Sequence, residues 1–271
     1  MSTPPRPVTE RPPSIPQGDA AVWARGLTRT FGDFTAVDAI TFAVAKGEVF
    51  GFLGANGAGK TTAMKMLTGL LAPSAGEART AGRDVAAEPE AVKQKIGYMS
   101  QRFALYDDLT VRENVRFYGT VYGLSDRQIT DRMTATLQRL GLEDIARERV
   151  GRLPLGWKQK LAFSVALLHE PEVVFLDEPT GGVDPVTRRQ FWEMIYAAAE
   201  AGTTVFVTTH YMDEAEYCDR VSIMVAGRIA ALGTPAELKR QFDAPSMDAV
   251  FLALARPDAA PEAEGDRPVA R

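Results

Sequence analysis

The fold is decided by residues 54–62, which read Gly-Ala-Asn-Gly-Ala-Gly-Lys-Thr-Thr. An apolar run at residues 49–53, Val-Phe-Gly-Phe-Leu, precedes this stretch and predicts a short buried strand. Residues 63–67, Ala-Met-Lys-Met-Leu, follow it and predict a helix. Glycines allow the loop to turn its backbone N–H groups inward, and the helix N-terminus adds free N–H groups and partial positive charge. The stretch therefore predicts a cradle for a polyphosphate.

The loop follows the G-x-x-x-x-G-K-[ST] pattern of nucleoside triphosphate sites, and it lies between a strand and a helix as that pattern requires. Lys60 is expected to reach the β- and γ-phosphates, and the Thr61 hydroxyl is expected to bind Mg²⁺. The residues of the loop that we expect to bind nucleotide are Gly54, Asn56, Gly57, Gly59, Lys60, Thr61 and Thr62. The loop alone predicts a nucleoside triphosphate and leaves its base open.

Composition narrows the classes of protein that this chain can represent. Its 271 residues are 45% hydrophobic and 24% charged, which is typical of a globular domain. The formal net charge of −4 argues against general affinity for nucleic acid, and no apolar run approaches the ~20 residues of a membrane-spanning helix. The single cysteine, Cys218, excludes an internal disulfide and favours a reducing, cytoplasmic setting.

The order of patterns along the chain predicts one main domain with a tail at each end. Residues 1–18 are rich in proline and are expected to be a disordered tail, and residues 244–271 are expected to be a short segment followed by another such tail. Residues 19–243 are expected to form the domain. Apolar residues at helical spacing predict a helical subdomain at about residues 103–168, inserted between the phosphate loop and later strands.

Two carboxylates follow the apolar run at residues 173–176, which predicts a buried strand. Taken alone, such a pair is as often a solvated strand end, but the preceding phosphate loop favours a metal site. Asp177 is expected to hold Mg²⁺ through water, and Glu178 is expected to orient an attacking water or accept its proton. Gln101 and His210 also follow predicted strands, where a lone polar residue is more often structural. His169 is expected to have only a structural role near a helix C-terminus.

The order of these features resembles the nucleotide-binding domain of ABC transporters over residues 22–238. The resemblance rests on Phe31, residues 54–62, Gln101, a signature-like segment at residues 153–159, the Asp177-Glu178 strand end, the run Gly-Gly-Val-Asp-Pro at residues 181–185, and Thr-Thr-His at residues 208–210. It implies an α/β fold of the P-loop NTPase class, with a RecA-like parallel core sheet, an antiparallel β subdomain and the inserted helical subdomain. A guanine-reading Asn-Lys-x-Asp segment, which a GTPase would need, is absent from the sequence.

Roles for individual residues follow from the resemblance. ATP is the implied nucleotide, with Phe31 stacking on adenine. Thr61, Gln101 and Asp177 are the implied binding residues for Mg²⁺.

The remaining implied roles concern catalysis and coupling. Glu178 is the implied catalytic base or water-orienting group, Gln101 touches the attacking water, and His210 stabilises charge on the γ-phosphate. Asp184 is implied to lie at a dimer interface and to couple two ATP sites.

The chain departs from the family in the signature segment, which normally reads Leu-Ser-Gly-Gly-Gln and closes the ATP site of a second subunit. Residues 153–159 read Leu-Pro-Leu-Gly-Trp-Lys-Gln, so that Pro154 replaces the serine and Leu155 the first glycine. Pro154 has neither a hydroxyl nor an N–H group, and Leu155 adds bulk, whereas Gly156, Trp157 and a helix expected from Lys158 remain. A Leu-Pro-Leu-Gly segment resembles ABC-2-type bacterial exporters, for which we expect weakened but real activity.

The resemblance also implies partners. We expect an ATP-hydrolysing subunit at the cytoplasmic face of the membrane, bound to a separate integral-membrane permease of ABC-2 type that exports a drug-, lipid- or polysaccharide-like cargo. The permease is expected to dock near residues 102–108, and ATP is expected to close a dimer with a second copy or a related ATPase. No nucleic acid partner is expected. Two alternatives stay open: a soluble ABC ATPase without a transport role, and an ATP-sensing subunit that pairs with a different ATPase.

Overall fold

The computed structural model describes residues 18–101 and 105–255. The tail expected at residues 1–18 lies outside the described residues except for Gly18, and the far tail lies outside them beyond Ala255. In chain order the strands are β1 (Ala20–Phe31), β2 (Phe34–Ala45), β3 (Val49–Gly54), β4 (Ala75–Thr80), β5 (Arg83–Asp84), β6 (Ile96–Met99), β7 (Val173–Asp177), β8 (Thr204–Thr209), β9 (Arg220–Val225) and β10 (Arg228–Gly233). The helices are α1 (Lys60–Leu67), α2 (Pro89–Lys95), α3 (Val111–Val121), α4 (Asp126–Leu140), α5 (Leu155–Ala166), α6 (Pro185–Glu200), α7 (Pro235–Gln241) and α8 (Met247–Ala255).

The strands form two sheets. Four of them make an antiparallel sheet in the order β2-β1-β4-β5, in which β1 and β2 are a long hairpin turned at Gly32 and Asp33. The other six make the core sheet, in the order β10-β9-β3-β8-β7-β6. Strands β9, β3, β8, β7 and β6 run parallel, and only the edge strand β10 is antiparallel to its neighbour. The predicted α/β fold, with its parallel core sheet and antiparallel β subdomain, is confirmed.

The core sheet is buried on both faces, which explains the continuous apolar runs in its strands. All residues of β3, β7 and β8 are buried. Phe42 of β2 stacks on Phe50 of β3 with ring centroids 5.8 Å apart, and Phe206 of β8 lies 5.5 Å from Phe50. This phenylalanine cluster joins the two sheets behind the phosphate loop.

Helices α3, α4 and α5 lie between β6 and β7 in the chain. A separate apolar cluster packs these three helices together. Capping boxes start α3 at Thr110 and α4 at Ser125, and Gly141 ends α4 in the left-handed conformation. His169 joins this helical region to the core sheet, because its Nε2 lies 3.0 Å from the Ile96 carbonyl oxygen and its ring stacks on Tyr122. Burial lowers the pKa of His169, which fits the structural role expected for it.

Two helix boundaries differ from the sequence analysis. Helix α5 begins at Leu155 and not at Lys158, because Pro154 adopts the N-cap position and Gly156 is accepted in the first turn. Residues 247–255 form α8, whose Met247 and Val250 pack into the core, although the sequence analysis assigned no helix there. In the part of the chain that the structure describes, no helix is long and apolar enough to span a membrane.

Candidate nucleotide-binding site

The phosphate loop emerges from the centre of the core sheet, between β3 and α1. Gly54 and Gly59 have positive φ angles of 155° and 104°, respectively. A Cβ at Gly54 would lie 2.5 Å from the Met224 carbonyl oxygen, and one at Gly59 would lie 2.4 Å from that of Ala36. Glycine is therefore required at both positions by conformation and by close packing. The loop between them, residues 55–57, is exposed and free to face a ligand.

Lys60 opens α1 and returns its side chain to the loop. Its Nζ donates to the carbonyl oxygens of Gly54 at 2.8 Å and Ala55 at 3.2 Å, and it lies 3.6 Å from Glu178 Oε1. Only 5% of the residue is exposed, and this burial lowers the pKa of Lys60, against the opposing attraction of Glu178 and Asp177. A cation held in the loop beside two carboxylates is suited to bind phosphate oxygens.

Asp177 ends β7 directly opposite Thr208 of β8. The buried Thr208 hydroxyl donates to Asp177 Oδ1 at 2.6 Å, and the Thr61 hydroxyl oxygen lies 3.3 Å from Oδ2. Burial, together with the Asp177 charge, raises the pKa of the neighbouring Tyr98 to about 12, so that its phenol stays neutral. A carboxylate beside a threonine hydroxyl supplies the hard oxygen ligands that Mg²⁺ prefers, with room for water and phosphate oxygens to complete the shell. The donor set therefore fits the predicted Mg²⁺ site.

Glu178 is the residue on which three other predicted site residues converge. Its Oε2 accepts a hydrogen bond from Gln101 Nε2 at 3.0 Å and lies 3.1 Å from His210 Nδ1, while Lys60 approaches Oε1. The backbone of Glu178 has a left-handed φ of 51°, and its N–H donates to both the carbonyl and the hydroxyl oxygen of Thr208. A strained backbone with fixed polar partners is typical of a functional position.

This convergence follows from the order of the strands. Strands β6, β7, β8 and β3 are parallel neighbours, so their carboxyl ends meet at one edge of the sheet. Gln101 follows β6, Glu178 follows β7, and His210 follows β8. Gln101 and His210, which are more than a hundred positions apart in the chain, are thereby both brought to Glu178, which in turn approaches Lys60.

Phe31 lies at the tip of the β1–β2 hairpin, opposite Phe34. It is 47% exposed, and the Arg29 guanidinium lies over its ring at 4.6 Å from the centroid. The hairpin is joined to the phosphate loop side of the core through Asp38, whose N–H donates to the Gly227 carbonyl oxygen. One face of the Phe31 ring is covered by Arg29, so a base could stack only on the other face.

The signature-like segment at residues 153–159 packs against the start of α6 and the loop before it. Pro154 is the N-cap of α5 and makes no side-chain cap hydrogen bond, and Leu155 is 42% exposed. A Cβ at Gly156 would lie 2.6 Å from Thr187 Cγ2, and the Gln159 side chain donates to the Gly181 carbonyl oxygen at 3.1 Å. Residues 154–157 line a cavity of about 310 Å³, together with residues 182–184 and the start of α6.

Asp184 and Trp157 complete the predicted site residues, and both border this cavity. Asp184 is the N-cap of α6, where its carboxylate accepts hydrogen bonds from the N–H groups of Val186 and Thr187 and from the Thr187 hydroxyl. These contacts, with Thr187 first, lower the pKa of Asp184. The sequence analysis missed this capping role, although an Asp before a Pro signals a helix start.

Thr208 is a further site residue that sequence reasoning missed. Its hydroxyl holds Asp177 and also accepts the Glu178 N–H. No local pattern distinguishes this threonine from Thr209, because the distinction depends on which of the two is paired with Asp177 and so points to the same face of the sheet.

Comparisons with known proteins identify several relatives of the chain. The model of the ABC transporter family matches residues 37–181. The probable multidrug ABC transporter ATP-binding protein YbhF of Escherichia coli is 48% identical over 242 residues, which are 88% of this chain and 42% of that protein. The daunorubicin resistance ATP-binding protein DrrA3 of Streptomyces coeruleorubidus is 39% identical over 86% of this chain and 74% of that protein.

A solved structure of the ATP-binding subunit of an ABC transporter has a TM-score of 0.78 and 30% identity to this chain. The match covers 86% of this chain and 99% of that structure. The chain spans less than half the length of the Escherichia coli relative.

Proposed function

The chain belongs to the ABC transporter family, and on that premise we propose that it is the ATP-hydrolysing subunit of an exporter. The proposal is carried by one observation, the convergence of Gln101, His210 and Lys60 on the Glu178 carboxylate. This carboxylate lies at the edge of the sheet where the phosphate loop opens. A carboxylate held there by polar groups can orient a water molecule toward a γ-phosphate.

The chemistry divides among the residues of this edge. The loop N–H groups and Lys60 bind the phosphates, and Glu178 orients the attacking water and accepts its proton. His210 and Gln101 then lie where charge develops on the γ-phosphate and on the water. Thr61 and Asp177 would hold Mg²⁺, which neutralises phosphate charge when it is bound.

We propose that a second ATPase subunit completes each site. The exposed Leu155 and the N-terminus of α5 present backbone N–H groups at the surface, as a phosphate from a partner requires. The phosphate loop and this segment would then be opposite halves of two symmetric sites in a dimer. Pro154 and Leu155 would weaken this contact without removing the helix N-terminus.

A permease at the membrane is the second proposed partner. Tyr106, exposed on the helical region, packs edge-on against Phe117 with ring centroids 4.9 Å apart, and both rings are accessible. This aromatic surface includes Tyr106 of the proposed docking stretch at residues 102–108, of which residues 102–104 lie outside the described part. Export of drug-like cargo is supported by the names of the relatives, and binding to a permease would hold the chain at the cytoplasmic face of the membrane.

One observation favours a second candidate function. The signature segment lacks the hydroxyl that would meet a partner's phosphate, as expected for a subunit that senses ATP and leaves hydrolysis to a different ATPase. The intact set of Lys60, Asp177, Glu178 and His210 favours hydrolysis.

ATP turnover of the native protein and of Glu178→Gln tests the proposal. We expect Glu178→Gln to bind ATP normally and to lose about a hundredfold in kcat, because general base catalysis contributes about that much. Glu172→Gln is the matched control, since Glu172 is exposed at the opposite end of β7 and pairs with Lys95. Native turnover no higher than that of Glu178→Gln would contradict hydrolysis and favour the sensing subunit.

The transport role needs a separate experiment. Purification of the native protein from detergent-solubilised membranes is expected to yield a multispanning membrane protein in fixed stoichiometry. Active ATPase recovered only from the soluble fraction would favour a soluble ABC ATPase without a transport role.

A further inference from the structure

Arg188 of α6 packs against residues 211–214, the segment that follows His210 in the chain. Its side chain is only 23% exposed. Its Nε lies 3.6 Å from Glu214 Oε1, its Nη1 lies 3.5 Å from Asp213 Oδ2, and its guanidinium carbon lies over the Tyr211 ring at 4.8 Å from the centroid. Nothing in the nucleotide chemistry described above uses this residue.

The contact of Arg188 with Tyr211 leads to His210, the proposed catalytic histidine. The rings of Tyr211 and His210 have centroids 4.2 Å apart and planes inclined by 35°. The Arg188 guanidinium therefore rests on Tyr211, which rests on His210, whose Nδ1 is 3.1 Å from Glu178 Oε2. A planar guanidinium is suited to pack on an aromatic face, where a cation is also attracted by the ring.

The contact of Arg188 with Glu214 leads to the loop that follows Glu178. Glu214 is fully buried, and its Oε1 accepts a hydrogen bond from the buried Thr180 hydroxyl at 2.5 Å. Thr180 is two residues beyond Glu178, and the intervening turn is closed by the Gly181 N–H donating to the Glu178 carbonyl oxygen at 3.2 Å. A buried carboxylate needs a compensating positive charge, which Arg188 supplies.

Through its ion pair with Glu214, Arg188 supports the hydrogen bond between Thr180 and Glu214 that joins the turn after His210 to the loop after Glu178. Extending the function proposed above, we infer that Arg188 is a positioning residue for ATP hydrolysis, which sets the distance between His210 and Glu178 through Tyr211 and Glu214. It touches neither the phosphate loop nor the predicted metal-binding residues in the contacts that the structure gives it. Its effect belongs to the catalytic step, because a displacement of about 1 Å at reacting groups can cost as much as a hundredfold in rate.

Steady-state ATPase kinetics of Arg188→Met and Arg189→Met provide the first test. Arg189 is the adjacent residue on α6, but it is exposed and pairs with Glu193 on the same helix. We expect Arg188→Met to lower kcat about tenfold and to leave the KM for ATP within about twofold of native, since the interaction acts mainly in the transition state. Arg189→Met is expected to keep native kcat and KM.

Two further variants separate positioning from a loss of folding. Arg188→Lys retains the charge opposite Glu214 but not the flat group over Tyr211, and we expect it to recover part of the lost kcat. Tyr211→Leu removes the stack and leaves the Arg188–Glu214 ion pair in place, and we expect kcat to fall without a rise in KM. Native kcat in both Arg188→Met and Tyr211→Leu would overturn the inference, as would equal loss of kcat in Arg188→Met and Arg188→Lys with native kcat in Tyr211→Leu.

A measurement independent of turnover keeps the inference distinct from the proposed function. The chain has two histidines, so the imidazole NMR signals of His210 can be assigned with His210→Ala, and those of His169 serve as an internal reference. We expect Arg188→Met to shift the His210 signals and leave those of His169 in place, whereas Arg189→Met changes neither. Unchanged His210 signals in Arg188→Met would overturn the inference even if the native protein hydrolyses ATP. Failure of native turnover to exceed that of Glu178→Gln would instead contradict the proposed function alone.

Discussion

At the phosphate-loop edge of the core sheet, the Glu178 carboxylate is approached by Gln101, His210 and Lys60, whereas at the signature-like segment Pro154 starts α5 without a side-chain cap. The first region has dense polar contacts between strands that are far apart in sequence. The second presents the exposed Leu155 and a cavity of about 310 Å³. The phosphate-loop edge is therefore preorganised within one chain, while the segment is an exposed surface to which we assign a partner subunit only by proposal.

The two regions are therefore expected to respond differently to amino-acid substitution. A polar group at the edge is a partner of several others, so its removal leaves buried groups unsatisfied. In the proposed dimer, a residue of the segment would contribute mainly to the contact with the second subunit, so we expect its replacement to change the affinity of the dimer more than the site within this chain. Three experiments test this difference between the phosphate-loop edge and the signature-like segment.

The largest effect is expected at the edge, from Thr208→Val. Valine has nearly the shape of threonine but can neither donate to Asp177 Oδ1 nor accept the Glu178 N–H. Residues that orient metal ligands typically contribute about 10–100-fold in metal affinity or activity. We therefore expect the Mg²⁺ concentration for half-maximal ATPase activity to rise at least about tenfold, as measured by titration with MgCl₂ at fixed ATP.

Two variants control for the loss of a buried hydroxyl. Thr208→Ser is expected to retain most of the native Mg²⁺ dependence. Thr203→Val removes a hydroxyl that donates to the Pro171 carbonyl oxygen, near the opposite ends of β7 and β8. This variant should leave the Mg²⁺ dependence unchanged. An unaltered Mg²⁺ requirement in Thr208→Val would mean that the edge is not preorganised through this threonine.

An intermediate effect, in the direction of a gain, is expected at the segment. Pro154→Ser together with Leu155→Gly restores a hydroxyl and backbone access at the N-terminus of α5. A charge-assisted hydrogen bond contributes about 1.5–3 kcal/mol, and at the lower end of this range ATP-dependent dimerisation should strengthen by about tenfold. Sedimentation with ATP, in the Glu178→Gln background, measures this change.

The matched control is Pro154→Ala together with Leu155→Ala, which removes the ring and the bulk without adding a hydroxyl or a glycine. We expect it to dimerise less tightly than the Ser-Gly variant. If the two variants dimerise equally, or if neither differs from the Glu178→Gln background, the segment is not a weakened contact to phosphate.

The smallest effect is expected from Asp184→Asn at the border of the cavity. The lowered pKa of Asp184 means that its carboxylate stabilises the folded protein above the ordinary pKa of 3.8, and that this contribution is lost as the pH falls through the lower folded value. Asparagine can still cap α6 but lacks the charge. We therefore expect a slightly lower thermal midpoint for Asp184→Asn at pH 7 and a smaller difference from native near pH 3.

Asp243→Asn is the control, because Asp243 is exposed and lies away from a helix N-terminus. It should match the native midpoint across this pH range. A difference for Asp184→Asn that stays constant from pH 7 to pH 3 would contradict a contribution from the ionised cap.

Much of the fold was accessible from sequence because its signals are local. The glycine-rich loop and the apolar runs of β3 and β7 each depend on neighbours a few positions away. The predicted start of α5 was wrong, because a proline and a glycine together suggest an interruption of a helix. In the structure Pro154 is the N-cap and Gly156 lies in the first turn. Helix α8 was missed because residues 247–255 are apolar at every position except Asp248 and therefore show no helical periodicity.

Short-range pattern was enough to predict the phosphate loop and which polar residues follow which strands, because these depend on neighbouring residues and backbone conformation. The α/β class followed from the resemblance of the ordered motifs to a known family. Only the tertiary structure decided that Gln101, His210 and Lys60 meet at Glu178, that Thr208 holds Asp177, and that Arg188 lies between Tyr211 and Glu214. Those contacts depend on the order of parallel strands in the sheet and on the packing of α6 beside it. Neither is written in a local pattern, because each is set by the burial of apolar faces that come from distant parts of the chain.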